Sequence, residues 1–259
     1  MKAKRRFNFW LWVLLCVPCL LASCDHDVHG GEDEGGLSVS LTWADEADQG
    51  TEVKDVKLWI FDADKGSQIE EKHYGSTEEV ASQRFELPEG TYRILTTTNL
   101  TEPFFISEQT RSLTNWNNIL IGLTNTKDVR NNAYFGVTDV KIDNKEGNYV
   151  VQNPIRSVLA ELTIIIENIP KGTEMSGKAL DCAWCLFPTL KNSDGEYGLP
   201  SIEPTEVELP TLLATESTLK SEVIRLMPTI QGSSSSHIYL RLLLPDETLQ
   251  EFDITAPMM

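Results

Sequence analysis

Histidine is scarce in this chain. Four occur among 259 residues, and only His73 and His237 lie beyond residue 36. General bases for catalysis at neutral pH are therefore few. The chain has no G-x-S-x-G nucleophile elbow, no G-x-x-x-x-G-K-[ST] phosphate loop and no H-E-x-x-H zinc motif. The acidic pairs Glu70-Glu71 and Glu78-Glu79 are adjacent in sequence, so on a strand they face opposite ways and read as solubility rather than as a glycosidase dyad. Positive charge is also short, with 22 Lys and Arg against 39 Asp and Glu, a net charge of −17. Such a surface repels nucleic acid and anionic headgroups, which argues against a nucleic-acid partner. Long runs of 3.6-residue periodicity are missing too, so long helices are not expected. Asp62-Ala-Asp64-Lys-Gly66 opens like a calcium loop, but its glycine falls one residue early and His73 stands where a bidentate Glu is needed. It reads as a hairpin loop. No enzyme activity, cofactor or metal site is expected.

What is present begins at the N-terminus. Lys2, Lys4, Arg5 and Arg6 lead into an apolar run from Phe7 to Leu21, and small residues then precede Cys24. That order is the order of a secretory signal. The run, about 15 residues with Pro18 inside it, is short for a membrane span of roughly 20. Leu21-Ala22-Ser23-Cys24 resembles the lipobox of bacterial lipoproteins. The resemblance implies a signal peptide over residues 1–23 and lipidation at Cys24, which becomes the first residue of the processed protein. Several acyl chains on one residue anchor a protein stably where a single chain does not. Loss of residues 1–23 leaves 18 basic against 39 acidic residues.

Residues 25–36 hold four glycines, five acids and one apolar side chain. They cannot bury a core, so residues 24–36 read as a lipidated acidic tether with a span of about 20 Å. His26 and His29 read as part of that solvated linker. With Cys16 and Cys19 in the signal and Cys24 acylated, only Cys182 and Cys185 belong to the folded part. A lone C-x-x-C supplies two ligands where a structural zinc wants four. On a regular strand, residues three apart lie about 10 Å apart, too far for a disulfide, which needs about 7 Å or less. Two small apolar strand residues, or a local disulfide across a bulge, both fit the motif.

From Leu37 onward the period is two. Leu37, Val39, Leu41 and Trp43 alternate with Ser38, Ser40 and Thr42. Val56, Leu58 and Ile60 share one face, and Trp59 and Phe61 the other. Thr91–Asn99 follows the turn signal Pro88-Glu89-Gly90. Ala133–Ile142 and Asn148–Gln152 flank a hairpin turn over 143–147, while Ser112–Gly122 suits a short helix or a strand. In the second half, Val158, Ala160, Leu162, Ile164 and Ile166 suggest one long strand, and Ala179–Leu186 another. Ile238, Leu240, Leu242 and Leu244 share a face, with Leu249–Ile254 pairing back across Pro245-Asp246-Glu247. Short strands separated by Gly, Pro, Asn and Asp predict an all-β protein of two immunoglobulin-like β-sandwich domains, residues 37–150 and 151–259. Of the tryptophans, Trp43 and Trp59 fall in strand patterns that favour core packing. Trp116, between Asn115 and Asn117-Asn118, is the candidate for an exposed aromatic platform that stacks on a glycan.

The order of these motifs resembles the fimbrial-anchor lipoproteins of Bacteroidales: the lipobox, the acidic tether, Leu-Ser-Val-Ser-Leu-Thr-Trp43, Val-Lys-Leu-Trp-Ile-Phe-Asp62, Leu-Pro-Glu-Gly-Thr-Tyr92, Ala133-Tyr-Phe-Gly136 and Asn153-Pro-Ile-Arg-Ser-Val-Leu-Ala-Glu-Leu-Thr163. The resemblance is best over residues 20–170. It implies transthyretin-like sandwiches, a place in the outer membrane through the lipid anchor with exposure on the cell surface, and fimbrial subunit proteins as partners. It also implies donor-strand exchange, a form of β-strand addition. Polymerising subunits of that family are opened by cleavage after an Arg behind the first strand, and this chain has no Arg between residues 7 and 83. The ending Thr255-Ala-Pro-Met-Met259 comes where the family commonly carries a further strand, which suggests a C-terminal domain that is incomplete or completed by a partner. The sequence therefore points to a surface lipoprotein that anchors or caps a fimbria, the alternative being a surface glycan-binding lipoprotein that uses exposed aromatics.

Overall fold

Val56, Leu58 and Ile60 are fully buried on one face of a strand, and Trp59 and Phe61 are buried on the other. A strand covered on both faces must lie inside a layered β structure. The computed structural model describes residues 35–107, 115–126, 129–233 and 235–257. Its first strands are β1 (Gly36–Trp43), β2 (Val56–Asp62), β3 (Gln68–Tyr74), β4 (Gly90–Thr98), β5 (Phe104–Ser107), β6 (Leu120–Leu123), β7 (Tyr134–Ile142) and β8 (Asn148–Ser157). One short helix, α1 (Thr77–Ala81), follows β3. The chain continues through β9 (Ala160–Leu162), β10 (Ile165–Glu167), β11 (Glu174–Ala183), β12 (Cys185–Lys191), β13 (Tyr197–Pro200) and β14 (Pro204–Glu208). It ends with β15 (Leu212–Leu213), β16 (Thr218–Lys220), β17 (Ile224–Leu226), β18 (Ser235–Leu243) and β19 (Leu249–Pro257). The protein is mostly β, as its alternation predicts.

Six strands form the largest sheet, in the order β1-β8-β7-β4-β2-β3. β1 joins it in parallel with β8, Leu37 opposite Tyr149 and Trp43 opposite Ile155. One face carries Leu37, Val39, Leu58, Ile60 and Ile94 under Val80 of α1, Phe85 and Leu87. α1 starts where Ser76 Oγ accepts the Glu79 amide, and Glu79 accepts the Gly75 amide at 2.7 Å, a close relative of the capping box. The other face packs on the sheet β13-β12-β6-β5 through Phe104, Ile121, Phe135 and Leu186. That second sheet joins strands distant in sequence, since Cys185 pairs with Gly122 and Leu186 with Ile121. Val151, where the sequence suggests a boundary, lies inside β8 opposite Val39.

A further sheet, β14-β11-β18-β19, covers its own core of Met175, Ala179, Ile238, Leu240 and Leu242. The pairs β9–β17 and β10–β16 supply Leu162, Ile166, Leu219 and Leu226 to the same core.

Two expected strands come out divided. Val158–Ile166 is not one strand, because Val158 packs into the core that holds Phe135 whereas Ile164 packs with Met175. The segment passes from one core to the other, and Ser221 Oγ accepts the Ile164 amide at the crossing. Ala179–Leu186 likewise breaks at Trp184, after Asp181 at a φ of +47°. Cys182 thus belongs to the β11 core, and Cys185 to the sheet with β6. Both are free and buried.

Candidate functional site

Neither site residue expected from sequence lies on an exposed surface of the described structure. Cys24 and the tether before Gly35 lie outside the described residues. Trp116 is a correction: it is 2% exposed and cannot offer a platform to a glycan. Asn115 caps a single 3-10 turn, Trp116–Asn118, its Oδ1 accepting the Asn117 amide at 3.0 Å. The Trp116 amide donates to Gly66 O at 2.9 Å, which pins the turn to the β2–β3 hairpin. The indole then points inward, edge-on to Phe61 at 5.2 Å and to Tyr197 at 5.9 Å. The Arg93 guanidinium sits over it, 5.4 Å from the ring centroid. The neighbouring asparagines are exposed, which is why the sequence alone suggested an exposed tryptophan. Among the described residues the exposed tryptophan is Trp184, at 40%.

The Asp62 loop is the hairpin turn expected. Asp62 Oδ1 accepts the amides of Asp64 and Lys65, and Oδ2 meets Lys65 Nζ at 2.9 Å. Those bonds hold the Asp62 carboxyl below its usual range. No group of three or more metal-ligating side chains occurs among the described residues.

The surface that stands apart is the end of the sheet carrying β18 and β19. Ile238, Leu240 and Leu242 lie on the core face of β18, with Ala179, Gly177 and Met175 of β11 opposite them on one side. On the other side the same face continues through Ile254, Phe252 and Gln250 of β19. Burial falls away along each row: Ile238 is 9% exposed and Ile254 43%, while Leu240 is buried and Phe252 is 42% exposed. The covering layer ends before it reaches β19. Among the described residues, no strand pairs with the outer edge of β19. The β18–β19 register runs unbroken from Ser235 opposite Pro257 to Leu243 opposite Leu249. Most sheet edges are shortened, bulged or capped with proline. β14, at the far edge of this sheet, follows that rule, with Pro204 at its start and a register shift against β11. β19 does not. A long regular edge with apolar side chains uncovered on its core face can accept another strand. The alternation Phe252, Ile254 against Glu251, Asp253 was readable in the sequence, but its exposure was not.

β18, which holds Ile238–Leu243, is flanked on both sides, by β11 and β19. The open position lies one strand further out. A separate cleft of about 510 Å³ lies beside β13 and residues 228–233, lined by Phe135, Leu186 and Ile230 together with Arg156, Asp194 and Gln231. Arg156 Nη1 is held there by Glu196 at 2.8 Å.

Several solved structures share this fold. The fimbrial anchor protein Mfa2 of Porphyromonas gingivalis superposes with a TM-score of 0.57 at 15% identity, over 85% of this chain and 82% of that one. A candidate adhesin of Bacteroides ovatus matches 98% of this chain and 87% of its own, with a TM-score of 0.57 at 13% identity. A candidate polysaccharide-binding protein of Bacteroides thetaiotaomicron matches with a TM-score of 0.52 at 12% identity, over 85% and 80% of the two chains. At such identities the likeness is one of fold. No curated protein sequence matches significantly. The family model of the fimbrillin-A associated anchor proteins Mfa1 and Mfa2 matches residues 23–256, nearly the whole chain, and the protein belongs to that family.

Proposed function

We propose that this protein is an outer-membrane lipoprotein, displayed on the cell surface, that anchors or caps a fimbria and is joined to a fimbrial subunit by strand addition. The role is structural, not enzymatic. The observation that carries the reading is the family match over residues 23–256, which begins one residue before Cys24. The basic and apolar segment ahead of Cys24 supports lipid attachment there, and the acidic tether fits display away from the membrane. The long, regular edge of β19 supports strand addition as the joint. Within this reading the protein is two transthyretin-like sandwiches. The six-stranded sheet with β13-β12-β6-β5 makes the first, and the β14-β11-β18-β19 sheet with its two short pairs makes the second. A division at residues 150/151 is then crossed by β12 and β13, which return to the first sandwich.

The test is retention of filaments on cells. Deleting the gene should move fimbrial protein from the cell fraction into the medium, and restoring the gene should return it. Filaments that stay cell-bound without the protein would refute the anchoring role.

A further inference from the structure

The outer face of the terminal sheet carries rows of polar and charged side chains that end on acidic residues at the β19 edge. In one row across the sheet, Glu208 of β14 lies opposite Lys178 of β11, Lys178 opposite Tyr239 of β18, and Tyr239 opposite Asp253 of β19. Lys178 Nζ meets Glu206 at 3.1 Å and Glu208 at 3.3 Å. In the next row Ser176 lies opposite Arg241 and Arg241 opposite Glu251, with Arg241 Nε 3.3 Å from the carboxylate. Both rows end at the edge on a carboxylate. A third row ends on exposed Leu243 and Leu249. On the opposite face, Phe252 and Ile254 stand uncovered.

Directly opposed side chains on neighbouring strands interact, opposite charges favourably and like charges unfavourably. We infer that the outer edge of β19 selects an extended partner strand in which apolar and basic residues alternate: apolar beside Ile254 and Phe252, Lys or Arg beside Asp253 and Glu251, and apolar again beside Leu249. The inference rests on strand addition at this edge and specifies the chemistry of the strand. A second copy of this chain is a poor occupant, because its own β19 would bring Glu251 and Asp253 against an edge of the same sign. An anionic membrane surface is disfavoured for the same reason.

The test uses the full acylated chain in detergent and two fluorescent peptides. One reads valine, lysine, valine, lysine, threonine, valine between solubilising flanks, and the other has glutamates in place of the lysines. The lysine peptide should bind tighter by about tenfold or more, the size expected when two cross-strand pairs turn from attraction to repulsion. The double variant E251K/D253K should reverse the preference, with circular dichroism confirming its fold. If that variant does not fold, F252Q/I254Q takes its place, and it should weaken the lysine peptide about tenfold while keeping the preference for lysine. Equal binding of the two peptides, or binding of neither, overturns the inference. If neither binds while the protein still captures fimbrial subunits, only the strand chemistry is wrong and the anchoring role stands. If the peptides behave as stated while cells lacking the protein keep their filaments, the edge specificity stands and the anchoring role fails.

Discussion

Gly136 and Asn153 are packed so closely that a methyl group on Gly136 would lie 2.8 Å from Asn153 Oδ1. The same methyl would meet the Pro154 carbonyl at 2.8 Å. Gly136 is on β7, and Asn153 is fully buried on β8, where its amide donates to Thr96 Oγ1 at 2.9 Å. Asn153 also faces Leu41 of β1 in the register. The glycine therefore permits the approach of the strand that holds β1 in the sheet.

Gly136→Ala is accordingly expected to destabilise the protein by about 1–3 kcal/mol, the usual cost of overpacking a tight interior. Urea unfolding followed by tryptophan fluorescence measures it. A midpoint equal to wild type would show that β7 and β8 can separate freely there.

Trp116 and Trp184 should respond differently to truncation. Trp116→Ala removes a buried ring from contact with Phe61, Tyr197 and Arg93, and about 3–5 kcal/mol of stability should go with it. Trp184→Ala, at a position 40% exposed, should cost clearly less, about 1 kcal/mol. Chemical denaturation of both variants decides the matter, and equal losses would contradict the packing described.

Much of this arrangement was legible in the sequence, and the exceptions have physical reasons. The hairpin of Ile238–Leu244 with Leu249–Ile254 was readable because local alternation and a Pro-Asp-Glu turn specify it without help from distant residues. The Leu37–Trp43 strand was equally plain, but its parallel partner over 100 residues away was not, since nothing local encodes a non-local pairing. β3, with the polar sequence Gln-Ile-Glu-Glu-Lys-His-Tyr74, pairs with β2 at a sheet edge, where hydrophobic patterning is weak. α1 is only five residues long, too short for a 3.6-residue period to mark it, although Ser76 and Glu79 carry a capping signal. The asparagines beside Trp116 suggest exposure, but one of them, Asn115, is the cap of the turn that directs the ring inward. At the candidate site, the strand over Leu249–Ile254 is legible in the sequence. Its exposure depends on where the covering layer ends, which no local pattern records.

The two thiols should be inert in the folded protein. Burial pushes Cys182 and Cys185 up to about 11 from an ordinary value near 9, so at pH 8 both remain thiols. Ellman's reagent at pH 8 should find no reactive cysteine in native processed protein and two after guanidinium is added. The raised values also set a pH dependence. Between pH 9 and 11 the unfolded chain releases protons that the folded chain keeps, so stability should fall as pH rises through that window. Rapid labelling of either thiol in native protein would contradict the buried placement.

Cys24 is proposed to carry the lipid. Radiolabelled palmitate should enter the wild-type protein and not Cys24→Ala, and the variant should appear in the soluble fraction. Persistent labelling of the variant would place the acyl chain elsewhere.

The most direct test of the central claim combines that variant with electron microscopy. In cells whose only copy of the gene encodes Cys24→Ala, immunogold against this protein should mark one end of filaments shed into the medium, because the joint to the filament survives while the hold on the membrane is lost. Shed filaments without label, or filaments still fixed to cells that release this protein freely, would show that it does not link the fimbria to the membrane.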